Sequence, residues 1–254
     1  MAGNREAFYK IYPHMRPKED MVVNSMTKDE NTNDIDKVVD LTKKSQEVSN
    51  NTGILTEGEI EYLNWVKPRE NNKFWPKEKT GWDKKLNLWF PHKSPEAGTD
   101  TIGYGTKLTK EEEKSGKIKI GDKLVDFTDG LTEDQATQLL HEDMKVHTNK
   151  ARKVYDHRYG KGSFDKLDED GQLLLTDFSY NMGPGVWDKN KKDFKGGLSD
   201  YKLMMKALHE GDWDEVGRQS IRRFKNPNTG LWEEMTDRNT ATYDMFIKDN
   251  VTFK

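Results

Sequence analysis

The chain has 254 residues, of which 34% are charged and 32% hydrophobic, enough for one enzyme-sized domain and an additional segment. Its formal net charge of −3 mixes both signs along the whole length, without a long basic run, so no nucleic-acid partner is expected. The absence of cysteine excludes a disulfide framework and thiolate chemistry. No apolar signal core follows Met1, and no stretch approaches the ~18 apolar residues of a membrane span. We therefore expect synthesis in a cytoplasm without a signal peptide.

Residues 1–52 form a separate polar opening that contains the runs SMTKDENTNDIDK and SNNTG. This composition is typical of a disordered tail. The alternative is an arm that docks on a partner in a larger assembly. The sequence therefore predicts an N-terminal segment over residues 1–52 and a single domain over residues 53–254.

A helix is predicted from Thr56, because apolar residues recur at helical spacing until Pro68 is expected to stop it. Glu70 follows this helix, where the macrodipole favours a neutral acid and neighbouring aromatic residues exclude water. Both effects raise the pKa of a carboxyl toward that of a general acid. The alternative is that Glu70 is one of many solvated surface charges.

Short strands are predicted at LNLWF and TIGYG, joined by a loop. The pairs Thr109 with Glu112 and Thr132 with Gln135 both fit the capping box that begins a helix. Between them, IKIGDKLVDF predicts a hairpin that turns at Gly121 and Asp122.

The rest of the chain is predicted to be mainly helical, because apolar residues line one face of each segment. The stripes consist of Ala136, Leu139, Leu140, Met144 and Ala151; Leu174, Phe178 and Met182; Tyr201, Met204, Met205 and Leu208; Trp213 and Val216; and Leu231, Met235, Ala241 and Met245. Glycines close the second and third helices, at Gly183 and Gly211.

The stretch GTDTIGYGTKLT, residues 98–109, is rich in glycine but does not match a phosphate-binding loop. A phosphate loop needs Lys where Tyr104 stands, and a dinucleotide fingerprint needs glycine where Leu108 stands. His141 and His147 are six residues apart and do not share a helix face, so no metal site is expected. No cofactor is predicted.

Four tryptophans, Trp65, Trp75, Trp82 and Trp89, surround Glu70 in the sequence. Indole faces can stack on sugar rings, and they can also simply pack in a core. The sequence leaves both interpretations open.

Taken in order, Glu70, the stretch TIGYG, LTEDQATQLLHEDM, FSYNMGPG and the segment around Arg238 resemble the phage-type lysozymes, which are muramidases. The resemblance covers about residues 54–250. It implies an α+β, lysozyme-like fold with a small β-hairpin lobe, a mainly helical lobe and, here, an extended N-terminal segment. The interval from the catalytic Glu to the Thr is longer than is usual in the family.

In family terms, Glu70 protonates the glycosidic oxygen and a second group activates water on the far side of the sugar. The family's Asp is missing before the strand, and the positions near it offer Glu96 and His92. Glu96 is placed first because it is a carboxylate, and His92 can serve as base if it is neutral near pH 7. Thr101 is expected to orient the water. The family's His after the second glycine is Thr106 here.

Two more positions are expected to line the substrate cleft, Tyr104 and Asn181, since polar and aromatic groups orient sugars. The alternative for Asn181 is a hydrogen bond to backbone near its helix end.

The resemblance implies a bacteriophage enzyme that cuts peptidoglycan between N-acetylmuramic acid and N-acetylglucosamine without a metal or cofactor. It would reside in the phage virion, docked on other virion proteins through residues 1–52, or in the host cytoplasm as a lysis endolysin. The alternative is a structural or glycan-binding virion protein that has lost the chemistry, motivated by the missing Asp and His.

Overall fold

The structure, a computed structural model, describes residues 56–70, 77–94, 99–226 and 229–251. The predicted arm at residues 1–52, Trp75 and Glu96 lie outside the described residues. Contacts divide the described chain into two compact units, residues 56–146 and residues 147–251. Helices and small antiparallel hairpins make up these residues, which confirms the predicted α+β, lysozyme-like fold class. No helix within the described ranges is long and apolar enough to cross a membrane.

The first unit combines short strands with helices. In chain order its elements are α1 (Glu57–Glu70), α2 (Lys77–Thr80), β1 (Trp82–Asp83), β2 (Leu88–Trp89), β3 (His92–Lys93), β4 (Asp100–Ile102), β5 (Thr106–Lys107), α3 (Lys110–Ser115), β6 (Lys117–Ile120) and β7 (Lys123–Asp126). A long helix, α4 (Glu133–Tyr159), contributes residues to both units.

Helix α1 begins with a capping box and continues further than the sequence predicted. The Thr56 hydroxyl accepts from the Glu59 backbone N–H at 3.1 Å, and the Glu59 carboxylate accepts from the Thr56 N–H at 3.0 Å. The prediction that Pro68 stops the helix is wrong, because α1 includes Pro68 and ends at Glu70. Proline in the last turn removes one backbone hydrogen bond, while Tyr62, Leu63 and Val66 bury the other face of the helix.

The local signals between residues 109 and 135 are confirmed. Both predicted capping boxes form, at Thr109 before α3 and at Thr132 before α4. The predicted hairpin also forms, with Ile120 opposite Lys123 across a two-residue turn.

The strand prediction at TIGYG is only partly right. Strand β4 ends at Ile102, and the next three residues turn the chain back into β5, so that β3, β4 and β5 form one antiparallel sheet. The turn is possible because Gly103 and Gly105 have φ values of 63° and 103°, which side chains strongly disfavour.

Two of the four tryptophans near Glu70 belong to the core of the first unit. Trp82 and Trp89 are 6% and 0% exposed, and their rings lie 4.9 Å apart. Trp89 also contacts the Tyr104 ring at 4.9 Å. For Trp82 and Trp89 the core-packing interpretation is therefore the one that the structure bears out.

The second unit follows the long helix. Its further elements are α5 (Glu169–Met182), β8 (Val186–Asp188), β9 (Asp193–Lys195), α6 (Lys202–Glu210), α7 (Trp213–Gln219), β10 (Arg223–Lys225), β11 (Trp232–Glu234) and α8 (Thr236–Thr242), with 3-10 turns at Phe164–Lys166 and Gly197–Asp200 and a π turn at Tyr243–Ile247. The helices agree with the predicted stripes, except that Leu231 lies before β11 and is 66% exposed. The hairpins β8–β9 and β10–β11 were not predicted.

A buried ionic cluster lies inside the second unit. The Asp177 carboxylate on α5 accepts hydrogen bonds from Arg222 and Arg238, each at 2.5 Å. The Arg222 guanidinium also lies 3.7 Å from the Phe178 ring centroid and donates to the Thr242 hydroxyl at 2.6 Å. Arg238, which the sequence singled out only by resemblance, thus joins α8 to α5.

Candidate active site

Thr101 and His92 face each other across the β3–β4 pair. The Thr101 side-chain oxygen Oγ1 lies 3.3 Å from His92 Nε2 and the same distance from the His92 carbonyl oxygen. Thr101 is 4% exposed, while His92 is half-buried. Two residues that the sequence predicted for the site, nine positions apart, therefore form one hydrogen-bonded pair.

The environment of His92 favours the neutral imidazole. Burial lowers its pKa below the usual value near 6.5, and the Phe90 carbonyl and the Asp100 charge offset this only in part. The Gly81 backbone packs closely beside the His92 imidazole, since a Cβ at position 81 would come within 2.7 Å of His92 Nδ1 and 2.0 Å of the Phe90 carbonyl oxygen. A neutral imidazole at pH 7 has one nitrogen free to accept a proton.

Asp100 and Thr101 point to opposite sides of β4, as alternation along a strand requires. The Asp100 carboxylate pairs with Lys93 Nζ at 2.9 Å. Of the two neighbours, Thr101 is therefore the one that is directed to the His92 ring.

The turn after Thr101 lies against the start of α4. A Cβ on Gly103 would come within 3.1 Å of the Ala136 Cβ, a tight contact that adds to the strain a side chain would meet at the φ of 63°. Tyr104 is 3% exposed, and its hydroxyl donates to the Glu133 carboxylate at 2.5 Å. Burial, with Glu133 beside it, raises the pKa of Tyr104. Contact between Tyr104 and a substrate stays a prediction.

Glu133 is a residue of this site that the sequence did not single out. Its Oε2 accepts from Trp89 Nε1 at 3.0 Å, and its Oε1, which accepts from Tyr104, lies 3.8 Å from Lys67 Nζ. Lys67 Nζ also lies 5.7 Å from the Tyr104 ring centroid. The last turn of α1 is thereby held beside the turn that follows Thr101. The sequence showed Glu133 only as the first residue after a cap, and carried no signal of these distant partners.

Glu70 ends α1 and is half-buried, three residues beyond Lys67. Residues three apart on a helix are neighbours on its surface. The contacts of Lys67 therefore fix the helical turn that carries Glu70. Asn181 belongs to the second unit, where it is half-buried in the last turn of α5.

The position that the resemblance expects to be histidine has its own partner in this chain. The Thr106 hydroxyl donates to Asp143 Oδ2 on α4 at 2.8 Å. At this position a hydroxyl, not an imidazole, is therefore hydrogen-bonded to a carboxylate of α4. No group of three or more potential metal ligands occurs among the residues that the structure describes.

Comparison with known proteins identifies the family of the chain. The phage lysozyme family model matches residues 91–241, more than half of the chain, and the chain belongs to that family. The matched range includes His92, Thr101, Tyr104 and Asn181 and begins after Glu70.

An individual relative gives a more particular comparison. Over 127 residues, or 49% of this chain, the sequence is 34% identical to the peptidoglycan hydrolase gp36 of Enterobacteria phage SP6. The aligned part spans 12% of that protein's length. No solved structure matches the chain.

Proposed function

We propose that this chain is a lysozyme of a bacteriophage, which hydrolyses the glycan strands of bacterial peptidoglycan between N-acetylmuramic acid and N-acetylglucosamine. The observation that carries the proposal is the Thr101–His92 pair in a chain of the phage lysozyme family. The similarity to a peptidoglycan hydrolase of another phage supports the substrate class. The catalytic domain proposed is residues 53–254.

In the proposed reaction, Glu70 is the general acid. It protonates the glycosidic oxygen as the bond to the anomeric carbon breaks, which leaves positive charge on the sugar ring. Its place at the carboxyl end of α1 disfavours the ionised form, because the helix dipole is negative there. Lys67 and Glu133 hold that end of the helix and act as positioning residues.

The second half of the reaction is the addition of water. With the Thr101 hydroxyl donating a hydrogen bond to His92 Nε2, its lone pairs accept a hydrogen bond from the attacking water and orient it. As water adds to the anomeric carbon, its proton passes to the Thr101 oxygen while the Thr101 proton passes to neutral His92 Nε2, or the water proton passes directly to the carboxylate of Glu96. Glu96 and His92 are compared directly by replacing each with glutamine.

The proposal is tested with Glu70→Gln, which keeps the shape of the side chain and removes the proton donor. We expect the rate of clearing of a peptidoglycan suspension to fall by about 10²- to 10⁴-fold, the usual contribution of a general acid. Glu61→Gln is the matched control, because Glu61 is an exposed glutamate on the same helix. Clearing by Glu70→Gln at the wild-type rate would remove Glu70 from the mechanism.

Mass spectrometry of wall digested in heavy-oxygen water identifies the bond. The proposal requires muropeptides whose new reducing end is N-acetylmuramic acid carrying the heavy oxygen. Wall binding by the wild-type chain without release of muropeptides would instead establish the alternative, a glycan-binding protein without activity.

Residues 1–52 are proposed to dock the enzyme on other virion proteins, on the basis of their distinct polar composition. A chain that starts at Thr56 should then keep its activity on isolated wall and fail to enter phage particles. Normal incorporation of the shortened chain would refute the docking role of residues 1–52. Absence of the full chain from phage particles would instead leave a lysis endolysin as the remaining assignment.

A further inference from the structure

The hairpin β8–β9 carries an exposed aromatic surface that the proposed catalytic residues do not use. Trp187 and Phe194 are directly opposite each other on the two strands, with ring centroids 5.2 Å apart. His157 on α4 lies edge-on to both rings, at 5.1 Å from Trp187 and 5.7 Å from Phe194. Trp187 nevertheless remains 42% exposed, and its neighbour Val186 is 76% exposed.

The same surface has an excess of positive charge. Asp193 lies 3.6 Å from His157 Nε2, 3.7 Å from Arg158 and 3.8 Å from Lys202 Nζ. One carboxylate therefore faces two permanent cations and a histidine. Residues 186–195 add four lysines and a second aspartate, in a chain whose overall formal charge is −3.

The base of the hairpin is tightly packed. Leu198 N–H donates to the Gly183 carbonyl at 2.8 Å. A Cβ on Gly197 would come within 2.3 Å of that carbonyl oxygen, and a Cβ on Gly185 within 2.5 Å of the Gly196 carbonyl oxygen. Backbone thus packs directly on backbone between the end of α5 and the return of the hairpin. The aromatic rings are presented on an anchored support, which reduces the entropy lost when a ligand binds.

We propose that the surface formed by His157, Arg158, Trp187, Phe194 and Lys202 binds a peptidoglycan strand through groups that take no part in the proposed catalytic steps. A sugar ring stacks its C–H face on Trp187, and a carboxylate of the strand's peptide stems pairs with Arg158 and Lys202. Peptidoglycan fits both features because it is a polymer of sugars that carries carboxylates at regular intervals. The inference rests on the proposed function and adds a second contact with the same substrate.

The test is sedimentation of the full chain with purified peptidoglycan sacculi, using Glu70→Gln as the background so that the wall stays intact. Trp187→Ala should weaken binding by about three- to tenfold, the range expected for loss of one aromatic contact. Lys202→Gln, on a side chain that is 56% exposed, should weaken binding by about two- to fivefold. Thermal unfolding of each variant checks that the fold is retained.

The matched controls lie on another hairpin. Leu124 on β7 is 68% exposed and adjoins Lys123, so Leu124→Ala and Lys123→Gln remove the same kinds of group elsewhere. Neither should change binding. Equal binding by Trp187→Ala and Leu124→Ala would overturn the proposal.

Chemical amidation of the sacculi separates the charge contribution from stacking. Sacculi whose carboxylates are amidated should bind the Glu70→Gln chain more weakly than untreated sacculi. On the amidated sacculi, adding Lys202→Gln should cause little further loss of binding. Binding that is indifferent to amidation would refute the role of the carboxylates. Trp187-dependent binding to phosphatidylglycerol vesicles, with sacculi bound equally by all variants, would assign the surface to a membrane and overturn the proposal.

These outcomes are distinct from failure of the proposed function. Release of muropeptides by the Glu70→Gln background would count against the catalytic assignment, while the effect of Trp187→Ala on sedimentation would still report on the surface.

Discussion

Replacement of Asp177 by asparagine should destabilise the protein severely, because it removes the buried carboxylate that pairs with both Arg222 and Arg238. Asp177 and Arg222 are completely buried, and the Arg238 side chain is 9% exposed. Burial lowers the pKa of Arg222, and the Asp177 charge is what chiefly opposes that effect. Asp177 therefore offsets the free energy that the Arg222 guanidinium loses when it is buried away from water.

The size of the effect follows from this burial. Removing one partner of a buried ion pair costs about 3–5 kcal/mol of unfolding free energy. Since each kcal/mol shifts the melting temperature of a domain of ~150–250 residues by about 2–4 °C, the melting temperature should fall by roughly 6–20 °C. Thermal and urea unfolding followed by circular dichroism measure both quantities.

Asp165→Asn is the control for this prediction. Asp165 pairs with Arg152 at 2.8 Å, but its side chain is 60% exposed, so its loss should cost at most about 1 kcal/mol. If Asp177→Asn were no more destabilising than Asp165→Asn, the reasoning about uncompensated buried charge would be refuted.

Two further predictions concern Glu133 and two histidines of the first unit. Glu133→Gln removes the charge that faces Lys67, and it should lower the rate of wall clearing by about 10- to 100-fold because the end of α1 is displaced. Asp134→Asn, at the neighbouring exposed carboxylate, is the control and should leave the rate unchanged. Equal rates for the two variants would exclude a positioning role for Glu133. Burial lowers the pKa values of His92 and His141, so the unfolded chain binds more protons below about pH 6.5 and the unfolding free energy should fall as the pH drops through that value. Urea unfolding at about pH 7.5 and 5.5 checks this, and unchanged stability would contradict it.

The sequence by itself determined those features that depend on residues three or four positions apart. The capping boxes at Thr109 and Thr132 and the turn at Gly121 formed as predicted, because a side chain and the backbone beside it settle them without help from the rest of the chain. The ordered motifs also identified the family correctly.

The tertiary structure decided the features for which the local rule and the packing disagree. Pro68 would end an isolated helix, yet α1 continues because burial of its other face outweighs one lost hydrogen bond. Leu231 fits the apolar stripe of a predicted helix, but it lies exposed next to strand β11. Trp82 and Trp89 could have faced a sugar or a core, and only the packing of their rings against each other distinguishes the two.

The same division applies to the candidate site. Thr101 and His92 were named separately from the sequence, and the antiparallel register of β3 with β4 is what brings them together. Glu133 carried no local signal, because its partners Trp89 and Tyr104 are distant in the chain and a carboxylate at a helix start is common on any surface. Local patterns specify which groups are available, whereas burial and register, which depend on the whole chain, determine which of them meet.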